Sequence, residues 1–340
     1  PEGRFETRAK EAFDDGWGEP DAEPRSLPTV VVAQTARSII MRNDSPDVPF
    51  AQSINPYQGC EHGCIYCYAR PSHAYLNLSP GIDFETRIFA KTNAAALLRA
   101  ELAARAYRCS PIALGANTDP YQPAERVQRI TRGVLEVLSE CRHPFTITTK
   151  GALVERDLDL IAPAAALGLA RVFVSVPQLD HALARRLEPR AAAPARRIET
   201  IRRLTAAGVP TGVLVAPVIP FLNDHELEAV LAAARAAGAT TAAFIVLRLP
   251  HEVRGLVDAW LQEHQPLKRE RVLNALREMR GGRDNDPRFG SRMTGSGPFA
   301  ELIAGRFALA ARRLGFADEA AELRSDLFRP PQPGQQLELF

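Results

Sequence analysis

Three of the chain's five cysteines stand within eight residues, Cys60-Glu61-His62-Gly63-Cys64-Ile65-Tyr66-Cys67, a C-x3-C-x2-C run. Thiolates held this close are soft metal ligands by type and by spacing. A structural zinc site wants four N or S ligands. His62 lies inside the tight loop, and no second Cys/His pair offers the missing ligand, so zinc is the weaker of two readings. A four-iron cluster held by three thiolates accounts for the odd number, because its fourth iron stays open to an exogenous ligand. Gly59 and Gly63 let the backbone fold closely around such a cluster, where amide N–H groups tune its potential.

Composition sets the frame for this loop. At 340 residues, 46% apolar and 24% charged, the chain can bury one large core or two ordinary ones. It holds no run of about 18 apolar residues, so no transmembrane helix is expected. Its first residues lack the apolar stretch of a signal peptide, and a cytoplasmic location is the default. Cys109 and Cys141 do not make a disulfide framework, which fits a reducing compartment. Residues 1–25 carry eight acidic against four basic residues, which leaves the remainder at +6 out of an overall +2. Arginines bunch between Arg185 and Arg203 and again between Lys268 and Arg283, as solvated helix faces or as a polyanion-binding patch.

Along the chain, residues 1–27 read as a mobile extension, followed by a short strand at Val30–Val32 and local structure at Ser38–Arg42. A strand from Ile54 to about Tyr57 delivers the cysteine loop. Buried strands then alternate with amphipathic helices. The strands are Ile112–Ala116, Phe145–Thr149, Val172–Val176, Gly212–Ala216 and Ala243–Leu247. The helices are Asn93–Ala106, Arg126–Glu140, Glu155–Leu167, Pro194–Ala207 and Asp224–Ala237, several of them stopped by glycine. Six βα units argue an α/β fold, a partial (β/α)6 TIM-like barrel with an N-terminal extension (1–50), a core (51–250) and a helical C-terminal region (251–340). Within the last, Glu252–Gln262, Lys268–Met279 and Pro298–Leu314 read as helices. The Gly- and Arg-rich stretch 281–297 reads as a surface connection or a lid, and 330–340 as a disordered tail.

With Tyr66 in the aromatic place, the run resembles the C-x3-C-x-(aromatic)-C signature of the radical S-adenosylmethionine (radical SAM) superfamily. Its flanks, Asn55-Pro-Tyr-Gln-Gly-Cys60 and Cys67-Tyr-Ala-Arg70, resemble the branch grouped with spore photoproduct lyase, often labelled DNA repair photolyase-like. The resemblance implies a [4Fe–4S] cluster on Cys60, Cys64 and Cys67, with S-adenosyl-L-methionine (SAM) on the open iron. It also implies reductive cleavage of SAM to a 5′-deoxyadenosyl radical, and an electron donor such as flavodoxin or ferredoxin.

Reacting groups of such barrels gather at the C-terminal strand ends. There Asn117, Thr118 and Asp119 stand where the superfamily has a Gly-Gly-Glu-like acceptor for the amino group of SAM. Lys150 is placed for its carboxylate, Ser175 for its ribose, and backbone near Val218 for its adenine. Arg248, after the last strand, suits an anion in the mouth. Cys109 and Cys141 precede strands, at the opposite mouth, so neither is placed as the hydrogen-atom donor expected of a spore photoproduct lyase. The reading is a radical SAM enzyme that favours a nucleic acid or nucleotide over a small metabolite. A non-catalytic Fe–S redox or sensor protein and a zinc-stabilised nucleic-acid-binding module are the other classes; no catalytic triad, P-loop or dinucleotide fingerprint competes.

Ligand spacing makes the first prediction. Cys60→Ala, Cys64→Ala and Cys67→Ala each abolish cluster incorporation, and Cys109→Ala and Cys141→Ala do not. Iron and sulfide analysis after anaerobic reconstitution checks it; normal iron in any of the first three would overturn it.

Overall fold

The computed structural model describes residues 28–331, so the expectations for 1–27 and for 332–340 lie outside the described residues. Strands β1 (Val30–Gln34), β2 (Ile40–Arg42), β3 (Gln52–Ile54), β4 (Tyr57–Gln58) and β5 (Arg87–Lys91) come first. They are followed by β6 (Ile112–Leu114), β7 (Phe145–Thr149), β8 (Ala170–Ser175), β9 (Thr211–Val218) and β10 (Thr241–Val246). Strands β3, β6, β7, β8, β9 and β10 pair in parallel in that order, and β2 adds an antiparallel edge on β3. The six parallel strands expected from sequence are therefore present. Their residues are buried because helices cover the outer face: Ile112, Phe145, Ile147, Val172, Val174 and Val213 expose 1% or less of their surface.

The helices are α1 (Asp83–Thr86), α2 (Ala94–Ala103), α3 (Glu125–Gln128), α4 (Ile130–Glu140), α5 (Leu158–Ala166) and α6 (His181–Leu187). Then follow α7 (Pro194–Ala206), α8 (Leu227–Ala236), α9 (Val253–His264), α10 (Pro266–Glu278) and α11 (Pro298–Leu314). Three sequence expectations change. The first barrel strand is β3 alone, since Tyr57 and Gln58 pair instead with β5, which itself lies parallel to β1 in a second, three-stranded sheet. The expected helix 126–140 is broken at Arg129, in the left-handed region at φ 51°, where the Glu125 carboxylate turns back to accept from Thr131 N at 3.0 Å and Arg132 N at 3.3 Å. The expected helix from Glu155 opens as a tight 3₁₀ turn, Ala152–Asp157, before α5.

Strand β5 and helix α6 escaped the sequence reading. β5 is Arg-Ile-Phe-Ala-Lys, and Ile88 and Ala90 are its fully buried alternate positions. Helix α6 is only seven residues long and begins at a side-chain cap, Asp180 accepting from Leu183 N at 3.0 Å.

The Gly- and Arg-rich stretch bridges the two edges of the sheet. Val246 N donates to Met293 O at 2.8 Å, beside the C-terminal end of β10. The buried Arg280 guanidinium donates to the carbonyls of Ser291 (2.9 Å), Arg292 (2.8 Å) and Leu247 (3.2 Å). On the other side, Gly290 N donates to Asp47 Oδ1 at 2.6 Å, and the Arg292 guanidinium bonds Asp47 and Ser45 in the connection between β2 and β3. The segment clasps β10 to the β2 edge.

At the N-terminal end of the strands, His143 is fully buried, its ring edge-on to Phe328 with centroids 5.2 Å apart. Its Nε2 lies 2.7 Å from Tyr107 Oη, and its Nδ1 lies 2.9 Å from the Pro144 carbonyl, which can only accept, so Nδ1 carries a proton. Burial pushes its pKa down to about 4, against the Pro144 carbonyl, which works to raise it. The unfolded chain therefore binds this proton first, and folding stability falls as pH drops from about 6.5 to about 4, by on the order of 3 kcal/mol. Urea midpoints at about pH 7 and about pH 4.5 should show the loss, and His143→Gln should show a smaller one. Equal losses in both proteins would refute the assignment.

Candidate functional site

The cysteine loop follows β4, and two glycines fix its shape. Gly59 (φ 83°) and Gly63 (φ 67°) occupy the left-handed region, and a Cβ at Gly63 would sit 2.3 Å from Glu85 Oε2. Neighbouring elements then tie down its backbone. Cys60 N donates to Phe84 O at 2.9 Å and Ile65 N to Leu187 O at 3.0 Å, while Gln122 accepts from Glu61 N (2.9 Å) and donates to Gly59 O (3.1 Å). The guanidinium of Arg70, with no exposed surface, donates to Cys64 O at 2.9 Å, Gly63 O at 3.0 Å and Gly81 O at 2.7 Å. Arg190 bonds Glu61 O and pairs with Glu85 at 2.7 Å.

Cys60, Cys64 and Cys67 line one cavity at the C-terminal end of the sheet, with about 970 Å³ of non-protein space counted out to its mouth. Burial raises the pKa of all three thiols, that of Cys64 to about 12 even with Lys150 working to lower it. A thiolate here needs a compensating cation, which iron supplies. Among the described residues no three His, Cys, Asp or Glu side chains converge as ligands of one metal ion would. Three thiols that share one cavity suit a cluster, in which each thiolate takes its own iron.

Every expected cofactor-binding residue but one borders this cavity: Tyr66, Asn117, Thr118, Asp119, Lys150, Ser175 and Arg248. Val218 does not; it is 1% exposed and its carbonyl accepts from Leu247 N at 2.9 Å. The β9 groups that meet the cavity are Leu214, Ala216 and Pro217. The β9–β10 register slips there: between the Val215–Phe244 and Val218–Val246 pairs β9 spends one residue more than β10, and Val218 is turned into the sheet. Cys109 and Cys141 lie off this cavity as expected, Cys109 lining a separate pocket with Arg42, Gln52 and Arg108.

The Asp119 carboxylate is heavily engaged within the fold. Its Oδ1 accepts from Tyr121 N (2.8 Å) and Thr149 Oγ1 (2.6 Å), and its Oδ2 from Lys150 N (2.7 Å) with His62 Nδ1 at 3.3 Å. Burial works to raise its pKa, but His62 and these donors outweigh that and hold the carboxyl down to about 2. Through these four contacts Asp119 ties the end of β7 to the cysteine loop. Thr118 Oγ1 donates to Tyr57 O at 2.9 Å and Ser175 Oγ to Ala216 O at 3.2 Å, and each oxygen keeps lone pairs for a ligand. Asn117 presents a side-chain amide with no hydrogen bond among the described residues; only its N–H is taken, by Asn55 Oδ1 at 2.9 Å.

Sequence reasoning missed the buried network under this wall. Glu188, after α6, has no exposed surface, pairs with the buried Arg197 and accepts from the Tyr66 hydroxyl. Lys150 Nζ lies 3.9 Å from Glu188 Oε1 and 5.8 Å from the Tyr66 ring centroid. Burial works to raise the Glu188 pKa, and Arg197 and Lys150 overcome it. The arginine runs are also largely consumed in the fold: Arg196 pairs with Glu155, Arg269 with Asp258, Arg277 with Asp284, Arg288 with Asp286 and Arg292 with Asp47.

The Radical SAM superfamily model matches residues 54–234. An uncharacterized protein of Mycobacterium tuberculosis is 42% identical over 221 residues, which cover 64% of this chain and 65% of that protein; one of Methanocaldococcus jannaschii is 27% identical over 173 residues, covering 51% and 62%. The chain thus spans less than two thirds of the length of the curated relatives it matches. Among solved structures, spore photoproduct lyase complexed with dinucleoside spore photoproduct superposes with a TM-score of 0.61 at 15% identity, over 84% of this chain and 80% of that one. That likeness carries the fold, a partial TIM barrel. With the family model matching more than half of its residues around the three-cysteine loop, the chain belongs to the radical SAM superfamily, whose enzymes use a [4Fe–4S] cluster and SAM.

Proposed function

We propose that the protein is a radical SAM enzyme whose cluster is held by Cys60, Cys64 and Cys67 and whose SAM lies in the adjoining cavity. The single observation that carries this reading is the sharing of one cavity by all three thiols and by polar groups from the ends of β6, β7 and β8. Bound there, cluster and SAM supply reductive cleavage of the sulfonium and hydrogen-atom abstraction from a substrate. The chain supplies position. Lys150, stiffened by its backbone bond to Asp119, offers the cation for the SAM carboxylate, and Asn117 offers an amide oxygen for its amino group. Ser175 faces the ribose, and backbone at Ala216 and Pro217 takes the adenine in place of Val218. Leu214, Ile245, Val246 and Leu247 give the cavity an apolar side that keeps water and stray hydrogen donors away.

The substrate in this reading is a nucleic acid or nucleotide. The flanks of the cysteine loop, the +6 balance of residues 26–340 and the dinucleoside lesion bound by spore photoproduct lyase support it. Among the described residues, no cysteine besides the three ligands borders the cavity, which weighs against lesion reversal ending on a cysteine donor. An electron donor such as flavodoxin or ferredoxin completes the scheme.

Anaerobic reconstitution tests the core of it. The reduced protein should show a cluster EPR signal that shifts on adding SAM, and should form 5′-deoxyadenosine; a signal indifferent to SAM would leave a redox or sensor protein instead. Lys150→Ala should keep its iron and bind SAM more weakly, by about 1.5–3 kcal/mol or roughly 10- to 150-fold. Unchanged affinity would overturn the placement of the carboxylate. Glu188→Ala should destabilise the fold by about 3–5 kcal/mol, since Arg197 is left buried without its partner. Urea unfolding measures it, and a change below about 1 kcal/mol would show the pair to be dispensable.

A further inference from the structure

Arg248 stands out among the cations of the site because no carboxylate among the described residues pairs with it. It lies two residues beyond β10 and borders the cavity. Its Nε is buried and has no hydrogen-bond partner among the described residues, and its Nη1 meets only the Met293 sulfur, at 3.8 Å. Its neighbours are satisfied: Arg280 by three carbonyls, Arg292 by Asp47 and Ser45. Asp47, the acidic group nearby, is therefore already engaged, and the Arg292 charge adds to that of Arg248 rather than cancelling it. A guanidinium carries five donors and no acceptor, and its buried Nε–H, left without a partner, costs free energy that a ligand oxygen would recover.

The position points away from SAM. Lys150 follows β7, and β8 and β9 separate β7 from β10, so the backbones that carry the two cations stand about 14 Å apart along the sheet. Arg248 enters the shared cavity from its β10 side. Tyr68 lies beside Arg248, 5.8 Å from guanidinium carbon to ring centroid; it borders the cavity and leaves 48% of its surface exposed. An aromatic face next to a guanidinium fork is the chemistry that stacks a base and grips its phosphate.

We propose that Arg248 binds a phosphate of the substrate, with a base of the same nucleotide stacked on Tyr68. The proposal rests on the radical SAM reading for the presence of SAM at Lys150. It is tested on reconstituted holoprotein with SAM, by equilibrium dialysis against a mixed pool of deoxydinucleoside monophosphates and the same pool with uncharged methylphosphonate linkages. The wild type should favour the charged pool by roughly 10- to 150-fold, the value of one charge-assisted contact. Arg248→Gln should erase that preference, and Arg248→Lys, which keeps the charge and loses the fork, should restore only part of it. SAM affinity should stay within about threefold in both variants, a change well under one such contact.

Equal binding of the two pools by the wild type, binding of neither, or a preference surviving in Arg248→Gln would each overturn the proposal. A tenfold or greater loss of SAM affinity in Arg248→Gln would overturn it too, by assigning the residue to the cofactor. The wild-type comparison needs no variant, so it decides even if Arg248→Gln fails to fold. Holoprotein that binds no SAM would sink the underlying enzyme reading, separately from what the two pools report.

Discussion

A guanidinium sealed from water holds the cysteine loop in place. Arg70 follows the last ligand by three residues and reaches back to the carbonyls of Gly63 and Cys64, then out to Pro80 and Gly81. Burying this charge costs several kcal/mol, and the carbonyls return it only if the loop keeps one conformation. The ligand geometry and the satisfaction of Arg70 are thus a single constraint. Lysine could not replace it, because one ammonium cannot span acceptors spread over two chain segments as a planar fork does. Glu85 and Arg190 extend the same lock to the turn after α6.

How much of this could be read from sequence depends on how local each cause is. The parallel strands were legible because both faces are covered, which makes β6 through β10 short apolar runs between glycine-rich turns. The cysteine ligands were legible because their spacing is local. Strand β5 was not, because two buried positions in five residues are too few to show alternation. Nor was the fate of Asp119. Its residue type advertises an acceptor, but whether the acceptor is already filled depends on His62, Thr149 and Lys150, brought together only by the sheet. The place of Val218 was hidden for a similar reason, since a one-residue slip of β9 against β10 decides which β9 residues border the cavity.

The arginine-rich composition made the same difficulty general. A run such as Arg196-Arg197 reads as a charged surface, yet Arg197 is 1% exposed and bonded to Glu188, while Arg196 is bonded to Glu155. Counting cations therefore overstates the charge available to a polyanion, and the informative quantity is which cations remain unmatched once the chain has folded.

The clasp formed by residues 286–295 explains why an unmatched cation can persist beside β10. A six-stranded parallel sheet that does not close leaves its last strand with free edge groups. Here Met293 O takes Val246 N, and Arg280 collects the Leu247 carbonyl, so the edge is satisfied by a loop instead of by a seventh parallel strand. A strand would have filled the gap with side chains. The loop leaves it open, and its own charges are spent on Asp47 and Asp286. What remains at that rim is Arg248 facing the cavity, held by backbone that has no other use for its guanidinium.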